Sequence, residues 1–201
     1  MKIVQKNYKV SLPLPKMAPS STPVLLDVDT GIDDAHALLL ALRHPALDVL
    51  GVTTVAGNLD IDTVTNATLK VLDAAGAPLA LPVAKGCDKP LVENTHFCPD
   101  IHGIDGLGDL EPPLPPSART LDARHAVTFI LDTLRDRDSA GLPAVTLIAL
   151  APLTNIGMAL RMEPELCKRA LAKVVWMGGA AFAGGNASQW AEANAAYDPE
   201  A

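Results

Sequence analysis

With 201 residues, 49% of them hydrophobic, the chain can bury a sizeable core, which excludes a disordered protein. A formal net charge of -7 argues against a nucleic-acid backbone as partner, and no apolar run is long enough to span a bilayer. The three cysteines, Cys87, Cys98 and Cys167, show neither zinc spacing nor a paired framework and read as reduced thiols of a cytoplasmic protein.

Residues 1–22 carry Lys, Pro and Ser without the continuous apolar stretch of a secretion signal, and are expected to form a flexible tail ahead of a domain over 23–201. From there strand and helix patterns alternate. Val24–Val28 is a short apolar run of strand type. Asp33–His44 is helical, with Ala37, Leu38, Ala41 and Leu42 at helical spacing and Pro45 ending it. Leu47–Val55 is β-branched and strand-like, broken by Gly57-Asn58. A helix over Asp62–Ala75 and a short strand over Pro82–Ala84 follow. Gly86–Thr120 is rich in Gly and Pro and without period, a loop of functional length. The remaining pattern predicts a helix over Leu121–Arg137, a strand over Ala144–Leu150, helices over Leu153–Arg161 and Glu163–Ala170, and a strand over Lys173–Met177. This alternation predicts an α/β fold with a doubly wound, mainly parallel, Rossmann-like sheet. Such folds build their sites at the carboxyl ends of the strands, where the polar junctions of this chain fall.

The first junction is the most charged. "VLLDVDTGIDDAHALL" places Asp27, Asp29, Asp33 and Asp34 within eight residues, between a strand and a helix. Carboxylates this close repel, more so when water is excluded. A helix N-terminus relieves one or two of them, by about 0.3–1 kcal/mol each. A hard divalent cation, with its demand for six or more oxygens, would accommodate the rest. Helix capping plus solvated surface is the competing reading of such a motif. Gly31 is expected to let the turn fold back toward the helix start. Asp27 directly follows Val24-Leu25-Leu26, which puts it at the end of a central strand.

These residues resemble the N-terminal signature of the inosine-uridine-preferring nucleoside N-ribohydrolases, D-x-D-P-G-x-D-D-A, with Thr30 in place of the proline. Four further segments are similar to family motifs in the same order. They are "VLGVTTVAGN" (Val49–Asn58), "HGIDGLG" (His102–Gly108), "LAPLTNIGMAL" (Leu150–Leu160) and the block from Val174 to Ala201 with its M-G-G, G-N, E-x-N and D-P-E-A elements. The resemblance implies hydrolysis of the N-glycosidic bond of a ribonucleoside, in purine or pyrimidine salvage, by a water bound to Ca2+. Asp29, Asp34 and the main-chain carbonyl of Leu150 are its implied metal ligands. Asp29 doubles as general base, and Asp33 accepts a hydrogen bond from a ribose hydroxyl. Asn58, Asn186, Glu192 and Asn194 would hold the sugar or the water, and Asp27 would support the site from below.

The same residues admit plainer readings. Asn58 and Asn186 follow glycine as turn residues often do. Glu192 and Asn194 have the character of ordinary surface polar groups. His102 is read either as a contact to the base or as a cap of its own loop. The family pattern continues beyond "AYDPEA", so the resemblance implies a C-terminally truncated version of the fold. A further metal-binding Asp and the groups that grip the base are expected in the missing part, and weak turnover and an exposed apolar flank of the sheet are expected consequences. A noncatalytic calcium- or ribose-binding remnant, and a D-x-D phosphatase of the haloacid-dehalogenase type, are the alternatives to a nucleosidase. Family members are commonly dimers or tetramers, so the resemblance points to a homo-oligomer, with the oligomeric state left open. Base preference is open.

Overall fold

A computed structural model describes residues 21–179 and 182–201. The predicted tail falls almost wholly on residues 1–20, outside the described residues; Thr22 already belongs to the first strand. In chain order the elements are β1 (Thr22–Val28), α1 (Ile32–Arg43), β2 (Leu47–Thr54), α2 (Ile61–Ala74), β3 (Val83–Lys85), α3 (Pro99–His102), α4 (Ala126–Ser139), β4 (Val145–Ala149), α5 (Thr154–Met162), α6 (Pro164–Ala170), β5 (Leu171–Trp176) and α7 (Ala193–Tyr197).

The strands form one parallel sheet in the order β3-β2-β1-β4-β5. β1 is central and buried on both faces, which is why its sequence reads as a continuous apolar run. Its side chains alternate as a strand requires. Val24, Leu26 and Val28 pack with Leu38 of α1 and Val71 and Leu72 of α2 on one face. Leu25 packs with Phe129, Ile130, Ile156 and Leu166, from α4, α5 and α6, on the other. Asp27 follows Leu25 on that second face and therefore meets α5. The chain runs outward from β1 in both directions, through β2 to β3 and through β4 to β5. The topological switch point thus lies between β1 and β4, where a doubly wound sheet opens a crevice.

Three departures from the sequence reading have local causes. The helix expected over Leu121–Arg137 begins only at Ala126. Asp122 donates its N–H to Val83 C=O and pairs its carboxylate with the Arg124 guanidinium and Arg124 N–H, so the first residues are held against β3. The long irregular stretch contains α3, started by Pro99 at its first turn. α7 was not anticipated, because Ala193–Tyr197 is too short to show a helical period. As expected of one flank of the sheet, β5 is poorly covered: Val174 and Val175 are 41% and 46% exposed.

Candidate active site

Every strand end on the central part of the sheet contributes to one pocket of about 310 Å³. Asp29 and Asp33 come from the β1–α1 junction, Asn58 from the turn after β2, Leu150 from the end of β4, and Asn186, Glu192 and Asn194 from the segment after β5. His102 reaches it from α3. The long loop is drawn over the site by a Cys98 N–H that donates to Asn58 C=O at 2.8 Å. Of the sequence-derived candidates, Asp27 and Asp34 do not line the pocket; both are buried. Cys98, Ile101 and Met177 also form the wall, and no chemical signal marked them in advance.

The acidic junction is buried and only half satisfied. Asp27 Oδ1 accepts from Thr53 Oγ1 at 2.5 Å and from Asn155 Nδ2 at 2.8 Å. Asp29 Oδ2 accepts from Asn58 N–H at 2.8 Å. Asp34 Oδ2 accepts from Gly31 N–H at 2.9 Å, closing the first turn of α1. In each carboxylate the second oxygen, Oδ2 of Asp27 and Oδ1 of Asp29 and Asp34, is buried without a partner. Burial pushes Asp27 up to about 6 and Asp29 up to about 7. Burial, and then the charge on Asp29, also raises Asp34 well above the ordinary carboxylate range. Asp33, by contrast, is exposed to the pocket.

The close packing depends on two missing side chains. Gly31 has a negative φ, so its role is not the conformational freedom expected from sequence. A Cβ there would lie 2.6 Å from His102 Nδ1 and 2.8 Å from Asn58 Nδ2. A Cβ on Gly57 would lie 2.1 Å from Asp29 Oδ2.

The polar wall residues are partly engaged, which defines what each can still offer a ligand. Asn58 Nδ2 donates to Asp29 C=O at 3.1 Å, leaving its side-chain oxygen as an acceptor. Asn194 Nδ2 donates to Leu150 C=O at 2.7 Å and Met177 C=O at 2.8 Å. That amide bridges the ends of β4 and β5, so Asn194 can meet a ligand only through its oxygen. Asn186 Oδ1 accepts from Ala193 N–H at 2.8 Å, which leaves its two donors. Glu192 Oε2 accepts from Gly179 N–H at 2.9 Å, which leaves Oε1. His102 Nδ1 accepts from Ile32 N–H at 3.3 Å, so it caps the start of α1 rather than its own loop, while the ring lines the pocket with Nε2 left to meet a ligand.

The doubly wound sheet, with a crevice at its switch point lined by carboxylates and amides, places the chain among the α/β proteins that build their sites at the carboxyl ends of the strands. Comparison with known proteins is more specific. The model of the inosine-uridine preferring nucleoside hydrolase family matches residues 24–201, and the chain belongs to that family. It is 43% identical over 179 residues to an inosine-uridine preferring nucleoside hydrolase of Leishmania major, covering 89% of this chain and 54% of the relative. To a pyrimidine-specific ribonucleoside hydrolase of Escherichia coli it is 38% identical over 178 residues, covering 89% and 54%. Its fold matches a purine-preferring ribonucleoside hydrolase from Gardnerella vaginalis with a TM-score of 0.80 at 32% identity, over 89% of this chain and 55% of that one. The chain therefore spans about half the length of the curated relatives it matches. Membership of this family sets aside the phosphatase reading of the D-x-D motif.

Proposed function

We propose that the pocket hydrolyses the N-glycosidic bond of a ribonucleoside to free base and ribose, with Ca2+ as the resident cation. The observation that carries this reading is the set of three buried carboxylates, each with one oxygen held and one without a partner. Buried anions with orphaned oxygens are costly unless protonated or met by a cation. Asp29, Asp34 and the carbonyl of Leu150, which keeps a second lone pair beside its bond from Asn194, are the oxygens that would hold the ion. When bound, such an ion supplies positive charge that acidifies a water and grips a vicinal diol.

The chain's own residues do the rest. Asp33 and Glu192 Oε1 accept from sugar hydroxyls, and Asn186 donates to them. Asn58 and Asn194 present oxygens, so the wall offers acceptors to a substrate rich in O–H donors. Asp29, buried beside the space a water would occupy, takes the proton of the attacking water. The C1′–N bond breaks as the C–O bond forms, and its electron pair leaves with the base. The positive charge that develops on the sugar ring is stabilised by the surrounding carboxylates.

Release of base from inosine and from uridine, with Ca2+ and with EDTA, tests the proposal, since the named relatives include purine- and pyrimidine-preferring enzymes. Cation-dependent release is expected from the wild-type chain and not from Asp29→Asn; release unaffected by EDTA contradicts the role of the cation. A second reading, binding of a cation and a sugar without catalysis, rests on the same carboxylates; among the described residues no group of three His, Cys, Asp or Glu side chains forms a metal cage, so in either reading the ion would also draw on the Leu150 carbonyl. Calorimetry with Ca2+ and ribose separates the two, since binding without base release supports the second.

A further inference from the structure

Asn155 is absent from the pocket wall, yet it is fully buried and its whole amide is engaged. From the first turn of α5, its Nδ2 donates to Asp27 Oδ1 at 2.8 Å and to Thr54 C=O at 3.0 Å. Its Oδ1 accepts from Cys87 N–H at 3.0 Å. A Cβ on Gly86 would lie 2.3 Å from that oxygen, so a glycine stands where the clasp closes. One side chain thus ties together the ends of β1 and β2 and the segment after β3, and does so from the helix that follows β4.

The clasp crosses the switch point. On one side, Asp29 stands two residues beyond Asp27 in the same turn. On the other, Leu150 opens the turn that leads into α5, and its N–H donates to Asp27 C=O at 2.9 Å. The carboxylate of Asp29 and the carbonyl of Leu150 therefore sit on two arms joined through Asp27. Parallel pairing of β1 with β4 ends at Asp27 and Ala149. The Leu150 N–H to Asp27 C=O bond is the last backbone link between the two arms; beyond it side chains act, Asn194 holding the Leu150 carbonyl from β5's side and Asn155 holding Asp27 from α5. Cation ligands must keep their distances to within about 0.2 Å, so a small shift of either arm matters.

We propose that Asn155 is a positioning residue: by gripping Asp27 across the switch point it sets the separation between the Asp29 carboxylate and the Leu150 carbonyl. This rests on the reading of those two oxygens as cation ligands. Asn155 itself touches neither ion nor substrate.

The test compares Ca2+ affinity by calorimetry with melting in EDTA. Asn155→Asp keeps the size and the acceptor for Cys87 but turns a carboxylate toward Asp27 and Thr54 C=O; Asn155→Ser cannot reach them. Arg119→Ala, which cuts a buried ion pair to Asp73 on the far side of α2, serves as a destabilised control. Both Asn155 variants are expected to lose at least about tenfold in Ca2+ affinity, the range typical of residues that orient metal ligands. The control is expected to melt earlier with its affinity unchanged. Asn155 variants that melt earlier but bind Ca2+ like wild type overturn the proposal, because they show a merely structural role. If neither folds, Thr53→Val decides, since it removes the hydroxyl from the same Asp27 oxygen; unchanged affinity there overturns the proposal as well. A wild-type chain that binds no Ca2+ removes the cation reading, and this inference with it, whereas failure confined to the variants leaves the cation reading standing.

Discussion

Asp29 shows how one position is controlled by its neighbours. Its Oδ2 is held by Asn58 N–H, and the space beside it exists only because residue 57 has no side chain. Gly57→Ala is expected to displace the carboxylate and lower Ca2+ affinity and kcat/KM by about 100-fold, the cost of misplacing a catalytic group by about 1 Å; titration calorimetry and initial rates check it. The buried acids also predict a pH dependence. Burial raises Asp27 from 3.8 to about 6 and Asp29 from 3.8 to about 7. Between the lower and upper values the folded chain holds protons that the unfolded chain has released, so these groups stabilise the fold at low pH and cease to do so as pH rises. In EDTA, the melting temperature should fall through the window from 3.8 to about 7. Saturating Ca2+ should flatten that fall, and Ca2+ binding near neutral pH should release protons, detectable as a buffer-dependent heat. A melting temperature that rises across that window in EDTA contradicts the assignment.

The long stretch between β3 and α4 is held by a few specific latches rather than by a regular period. Arg119, whose side chain is almost fully buried, donates to Asp73 near the end of α2 and to the carbonyls of Ala77 and Pro78. Arg119→Ala leaves those acceptors unpaired and should cost about 2–3 kcal/mol. For a chain of this length that is a drop of about 5–10 °C in melting temperature, measured by circular dichroism. The loop's other end is tied to the site through Cys98 and His102. Its sequence showed an aperiodic segment with an H-G-x-x-G-x-G resemblance. It did not show that the loop folds over the β1 and β2 ends, because the contacts that put it there join residues 40 to 70 positions apart. α1 behaves otherwise: its apolar spacing, its acids in the first turn and Pro45 beyond its end are all local, and the helix formed within a residue of the predicted limits.

At the level of the entire chain, the proposed cation would be coupled to folding. A ligand that binds only the folded state stabilises it by about 2.7 kcal/mol at one hundred times its dissociation constant. Ca2+ should therefore raise the melting temperature of the wild-type chain, and the gain should be lost in Asp34→Asn; equal melting curves with and without Ca2+ argue against a buried ion. The two edge strands differ in kind. β3 is short and covered, with Val83 and Ala84 buried, whereas β5 presents apolar side chains on a sheet edge. Exposed apolar edges of that kind associate, so concentration-dependent sedimentation is expected, and Val175→Lys should reduce it.

Nearest-neighbour chemistry sufficed to read the five strands and the longer helices between them, the parallel sheet and the four aspartates of the first junction. Periodicity and a run of acids are properties of residues adjacent along the chain. The partners of those acids could not be read that way. Asn155 and Asn194 have ordinary side chains in ordinary surroundings along the sequence, and nothing local distinguishes an amide committed to strand ends from one free for a ligand. That difference arises when the sheet brings β1, β4 and β5 side by side, and when burial leaves each polar atom either a partner within reach or none.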